Sequence, residues 1–137
     1  MNETISNKGQ AIVMWVLWFA YLQGALIIQW ILGKGIPRGE NVETPMALWL
    51  WVMCFGPIVA ATLIRWLFIP KLKEAQQLLV AMIVGLSMAE APIFFSLFLM
   101  GPDYPQNQIA VLMVAVVAII QFAPSYATPG YKTEADG

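Results

Sequence analysis

The chain has 137 residues, 60% of them hydrophobic and 11% charged, with a formal net charge of −1 and no histidine. A soluble domain carries about 25% charged residues, so this composition excludes a water-soluble globule around one small core and points to lipid as the solvent. The charge balance offers no basic face to nucleic acid, and the absence of His excludes imidazole-ligated metal or haem and His-based catalysis.

A helix that spans a bilayer needs about 20 mostly apolar residues. The first predicted span is 10–33, QAIVMWVLWFAYLQGALIIQWILG. Its apolar run exceeds the roughly 7–15 residues of a signal-peptide core, and no clear small-residue cleavage site follows, so it is read as a retained span. A polar connection, KGIPRGENVETP, leads to the second span at 46–69, which carries the single Cys54, expected to be an inert buried thiol. The short turn PKLKEA joins it to the third span at 76–100. After GPDYPQN comes the shortest span, about 108–123, bracketed by Pro105 and Pro124. The polar tail at 128–137 is expected to fray. No strand alternation competes with this pattern. The expected fold is all-α: a single polytopic membrane domain of four transmembrane helices in an up-down bundle.

An even number of spans puts both termini and the PKLKEA turn on one side. That side holds Lys8, Arg65, Lys71, Lys73 and Lys132, against Lys34 and Arg38 on the other, where Glu40 and Glu43 offset them. The bias predicts cytoplasmic termini in an inner or plasma membrane. Arg65, about one turn from the end of its span, is expected to snorkel toward the headgroups.

Helices in lipid associate by close packing of small residues. Ala81, Gly85 and Ala89 form a ridge at spacing four on the third span; Gly56 and Ala60 offer one on the second, Ala20 and Gly24 on the first. Spans two and three are therefore expected to pair as an antiparallel hairpin. The six Trp residues all lie in the first two spans, where interface anchoring and packing account for them. The eight Met residues read as core filler.

One residue does not fit a purely structural account. Glu90 lies near the middle of the third span, where an ionised side chain costs about 2.5–3.5 kcal/mol on insertion scales. Hydrocarbon favours its neutral, protonated form, a property suited to binding and releasing a proton or small cation. Ser87, three residues earlier, supplies a hydroxyl on the same face. Pro92 removes the N–H that would close onto the Met88 carbonyl. Gln23 is the deepest polar group of the first span and the candidate to reach Glu90 from there. Carboxylate, hydroxyl and carbonyl together make oxygen ligands for a proton or Na+. The alternative is a protonated acid that ties helices together by hydrogen bonds.

The stretch GLSMAEAPIFFSLFL, Gly85 to Leu99, resembles the second helix of the rotary-ATPase proteolipid, subunit c. In that family a mid-membrane carboxylate followed by Ala, sometimes with a nearby Pro, binds a proton or Na+ and carries it round a ring. The resemblance, confined to the third span, implies that Glu90 is the ion carrier, with Ser87 an auxiliary ligand and PKLKEA the polar loop of the hairpin.

These readings give two expectations of different class. One is a small, oligomeric, ion- or proton-handling membrane protein with its site at Glu90. The other is a non-catalytic accessory or scaffold subunit of a larger membrane complex. No nucleophile–base pair, metal cluster or phosphate-binding loop is visible, so neither an enzyme, a cofactor nor a metal site is expected. The expected partners are the lipid bilayer and either further copies of the chain or other membrane subunits.

Overall fold

A computed structural model describes residues 8–72, 74–100 and 103–127. The tail at 128–137, with Lys132, and the loop residue Lys73 lie outside the described residues. The chain is all-helical. Helix α1 runs Lys8–Leu32 and α2 runs Leu48–Leu63, extended by a π-helical turn, Ile64–Phe68, and a 3-10 turn, Ile69–Lys71. Helix α3 runs Ala75–Phe95 with a π-helical turn at Ser96–Met100, and α4 runs Pro105–Ile120, followed by a 3-10 turn at Pro124–Ala127. Three helical stretches, Gly9–Leu32, Leu48–Lys71 and Gln76–Met100, are long and apolar enough to cross a membrane; α4 is a shorter apolar helix.

The fourth helix starts at Pro105, not near Gln108. Proline is suited to the first helical position, where its missing N–H is one of the donors the helix leaves unused, so this residue opens the helix. Helix α3 likewise continues through Pro92, which is buried within it.

Helix α3 is the centre of the bundle. Its apolar window is 39% buried, against 28% for α2 and 17% for α1. Leu78, Met82, Leu86, Ala89 and Ile93 are fully buried, and Ser96 and Met100 continue the stripe. Their three- and four-residue spacing traces one face of a helix. Around α3 pack α1, α2 and α4; α4 also contacts α1 and α2, while α1 and α2 hardly touch among the described residues. Most remaining large apolar side chains, such as Ile12, Val16, Trp30, Leu48 and Phe98, are exposed, as on a surface solvated by acyl chains. The helices alternate in direction. The α1–α2 connection meets the α3–α4 turn at one end, where Val42 N–H donates to the Asp103 carbonyl at 3.0 Å. At the other end the π turn of α2 meets the end of α4.

The end of the bundle that holds the α1–α2 connection and the α3–α4 turn is fastened by side chains. At the end of α1 the Gly35 N–H bonds the Trp30 carbonyl at 3.0 Å, with Lys34 left-handed at φ 54°, the geometry of a Schellman turn. A lysine in that conformation is strained by roughly 1–2 kcal/mol relative to glycine. Buried Gln29 holds the turn by donating Nε2–H to the Gly35 carbonyl at 3.1 Å. The start of α4 is capped from 65 residues away. Asn41 Oδ1 accepts the N–H groups of Gln106 (3.0 Å) and Asn107 (3.3 Å), and Asn41 Nδ2 donates to Asn107 Oδ1 at 2.8 Å.

Candidate functional site

Glu90 is half-buried on α3, next to the fully buried Ala89, and opens into the groove between α3 and α1. There Leu17, Ala20, Tyr21 and Glu90 line a shallow cleft of about 260 Å³. Tyr21 is the thirteenth residue from the end of α1 at Lys8 and Ser87 the twelfth from the end of α3 at Ala75, so the two parallel helices set them at the same level. Their hydroxyls share a hydrogen bond, Tyr21 Oη to Ser87 Oγ, at 3.1 Å. Glu90 follows Ser87 by three residues on the same face. The carboxyl itself makes no hydrogen bond or ion pair among the described residues.

The level of this cleft follows from helix geometry. Fifteen residues separate Glu90 from Ala75 and ten separate it from Met100, about 22 Å and 15 Å at 1.5 Å per residue. The acid is thus inside the hydrocarbon thickness of any bilayer that α3 crosses. A carboxyl with a phenol and a hydroxyl beside it, on an apolar wall, can hold a proton or present oxygen atoms to a small cation.

The other residues singled out in the sequence are only partly brought together. Met88 lies in the same turn of α3, its side chain exposed at 38%. Gln23 is half-buried on α1 but is not among the residues lining the cleft, and it makes no hydrogen bond among the described residues. The partner that α1 presents there is Tyr21. A tyrosine two residues from Gln23 leaves from a different side of the helix, since residues two apart do not share a face. The signal for Tyr21 was a polar tip on an otherwise apolar helix at a depth matching Ser87, and it was hidden among the aromatic residues of α1. Among the described residues no group of three or more Cys, Asp or Glu is placed to hold a metal ion.

The small-residue ridge of α3 meets a partner other than a ridge on α2. A Cβ built on Gly85 would lie 2.2 Å from Phe122 Cζ, so the ring just after α4 sits against the glycine backbone. Ala89 is fully buried, and Ala81 lines a shallow cleft together with Ile64, Phe68 and Leu72. Helix α2 is nonetheless the most extensive neighbour of α3. Gly56 and Gly24 face open space, with nothing within 4 Å of a built Cβ; Gly56 is therefore not a packing position in this protomer, and Ala60 is half-buried. Cys54 is buried with its Sγ 3.8 Å from Met100 Sδ.

Arg65 departs furthest from expectation. It is 6% exposed and does not snorkel. Its Nε–H donates to the Gln121 carbonyl at 2.7 Å, and its guanidinium lies 4.1 Å from the centroid of the Trp66 ring. Trp66 Nε1–H donates to Gln121 Oε1 at 2.9 Å, and Gln121 Nε2–H to Thr62 Oγ1 at 3.2 Å. From α1, Trp18 Nε1–H reaches the Ile119 carbonyl at 2.9 Å. These donors converge on the C-terminus of α4, which carries the helix's partial negative charge and where the Ile119 carbonyl also accepts the Phe122 N–H at 3.0 Å. At the other end of α4, Gln108 Nε2–H satisfies the Ser96 carbonyl in the π turn of α3, at 3.1 Å.

The chain matches no protein-family model, no curated protein and no solved structure.

Proposed function

We propose that this is a small membrane protein, resident in an inner or plasma membrane with both termini cytoplasmic, in which Glu90 binds or relays a proton or small cation. The observation that carries the reading is the placement of one acid midway along the central helix. It opens into the α1–α3 cleft beside the Tyr21–Ser87 hydroxyl pair and makes no hydrogen bond of its own within the described chain. A carboxyl with a purely structural role inside the protomer would be bonded to a neighbouring helix, because a buried polar group without a partner is costly. The open side of the cleft suits a second copy, in keeping with the likeness of Gly85–Leu99 to the ion-carrying helix of the rotary-ATPase proteolipid. A second reading rests on the same open side: an accessory subunit whose Glu90 bonds a partner subunit docked over α1 and α3.

The test is reaction with a hydrophobic carbodiimide, which modifies a protonated carboxyl in lipid, combined with flux in proteoliposomes. Glu90 is expected to be labelled in the wild type, with labelling suppressed at high pH or by a competing cation, and Glu90→Gln is expected to insert normally but lose flux. Flux unchanged in Glu90→Gln would overturn the ion-handling reading; loss of a co-purifying subunit in that variant would favour the accessory one.

A further inference from the structure

The end of α1 carries a second polar feature, remote from Glu90. Trp30, Gly33, Lys34, Gly35, Ile36, Pro37 and Arg38 surround a cleft of about 490 Å³ where the helix gives way to the α1–α2 connection. Lys34 and Arg38 are both exposed and both line it; the acids of the same connection, Glu40 and Glu43, do not. The two cations face a helix C-terminus whose dipole is equivalent to about half a negative charge, so the field in the cleft stays positive. The carbonyls of Gln29 and Trp30 are moreover already occupied by the Gly33 and Gly35 N–H groups.

Two further observations give the cleft a ligand. Lys34 occupies the left-handed position of the turn although Gly33 and Gly35 flank it, and a glycine there would be unstrained. A cation held in a strained conformation, where the fold alone asks for glycine, points to a use for its charge. The lining is apolar and open at Trp30, 67% exposed, and Ile36, 60% exposed, and Ile31, next to Trp30 in the chain, is 66% exposed. An amphipathic ring beside two cations, at the end of a 24-residue span, belongs at headgroup level.

We infer that this cleft binds the phosphate of an anionic phospholipid, with Lys34 and Arg38 on the phosphate and Trp30, Ile31 and Ile36 against the upper acyl chains. The same cations would attract a free phosphate ion, but the apolar rim distinguishes the lipid. The inference is independent of any role for Glu90.

The experiment is native mass spectrometry of the full chain from mixed micelles containing phosphatidylglycerol or phosphatidylcholine, with inorganic phosphate as a competitor. Wild-type protein is expected to retain phosphatidylglycerol at least tenfold over phosphatidylcholine, and an equal concentration of inorganic phosphate is expected not to displace it. Lys34→Gly removes the cation and keeps the turn, so it should melt at or above the wild-type temperature in lipid-free detergent. Combined with Arg38→Gln it should lower retention of phosphatidylglycerol about tenfold. Equal retention of the two lipids, wild-type retention by the double variant, or displacement by inorganic phosphate would each overturn the assignment.

Discussion

The contact between Gly85 and Phe122 makes a sharp prediction about how the bundle closes. In Gly85→Ala the new Cβ would sit 2.2 and 2.3 Å from two ring carbons of Phe122. Moving the nearer atom from 2.2 Å out to the 3.4 Å at which ordinary contact begins requires a retreat of about 1.2 Å. The ring tip could yield cheaply if Phe122 stood at the surface, but it is fully buried among Leu78, Met82 and Ile119 in the main core cluster. Such overpacking costs about 1–3 kcal/mol, while replacing Gly by Ala within a helix returns up to about 1 kcal/mol. The net expectation is a loss of about 1–2 kcal/mol, seen as a lower melting temperature by tryptophan fluorescence in detergent. Phe122→Leu alone should also destabilise, by leaving a cavity, yet combined with Gly85→Ala it should relieve the clash. The double variant is then more stable than the two single losses add up to, by at least about 1 kcal/mol. If Gly85→Ala melts at or above wild type, or if the two losses simply add, the ring does not rest on that glycine and the account of this helix crossing is wrong.

Substitutions at three other positions test the ends of the helices. Asn41→Ala removes the remote cap of α4 and should cost about 1–2 kcal/mol, with hydrogen exchange at the Gln106 and Asn107 amides accelerated about tenfold or more; Asn41→Asp, which keeps the acceptor, should recover most of the protection. Arg65→Met should cost about 2–3 kcal/mol, because the Gln121 carbonyl loses a charged donor, whereas Arg65→Lys should fall in between, keeping a cation but losing the planar contact with Trp66; equal melting temperatures for all three proteins would refute the role assigned to the guanidinium. Trp18→Phe removes the donor to the Ile119 carbonyl together with part of the ring volume, and should lower the melting temperature by the equivalent of about 1 kcal/mol or more.

What could be read from the sequence followed the physics that the sequence carries directly. Hydropathy determines where helices run when water is not the solvent, so the four-helix, all-α architecture and the pairing of α2 with α3 were legible, as was the position of Glu90 along α3. Partners across the bundle were not. Tyr21, Asn41 and Gln121 act on residues 66, 66 and 56 positions away, and no local pattern announces such distances. Gly56 illustrates the converse: small residues at regular spacing offer a contact surface, but only the arrangement of the other helices determines whether anything lies against it, and α1 and α2 are separated by the α3–α4 pair.

The misplaced expectation for Arg65 has a cause that also isolates Glu90. Sixteen residues make α4 about 24 Å long, short of the roughly 30 Å of hydrocarbon. Its terminal carbonyls therefore end about one and a half turns inside the level reached by α2, whose helical turns continue six residues past Arg65 to Lys71. Backbone groups left unpartnered at that depth cost several kcal/mol each, so the chain directs Arg65 to the Gln121 carbonyl and Asn41 to the amides at the opposite end, while Trp18 adds a second donor to the Ile119 carbonyl. Gln29 and Gln108 serve backbone carbonyls in the same way. Once these polar side chains are matched to the helix ends they complete, the Tyr21–Ser87–Glu90 group and Gln23 are left at mid-span, satisfying no backbone group among the described residues. Shortness of the fourth helix explains the buried cation; it offers no explanation for the acid, whose role is the one proposed above.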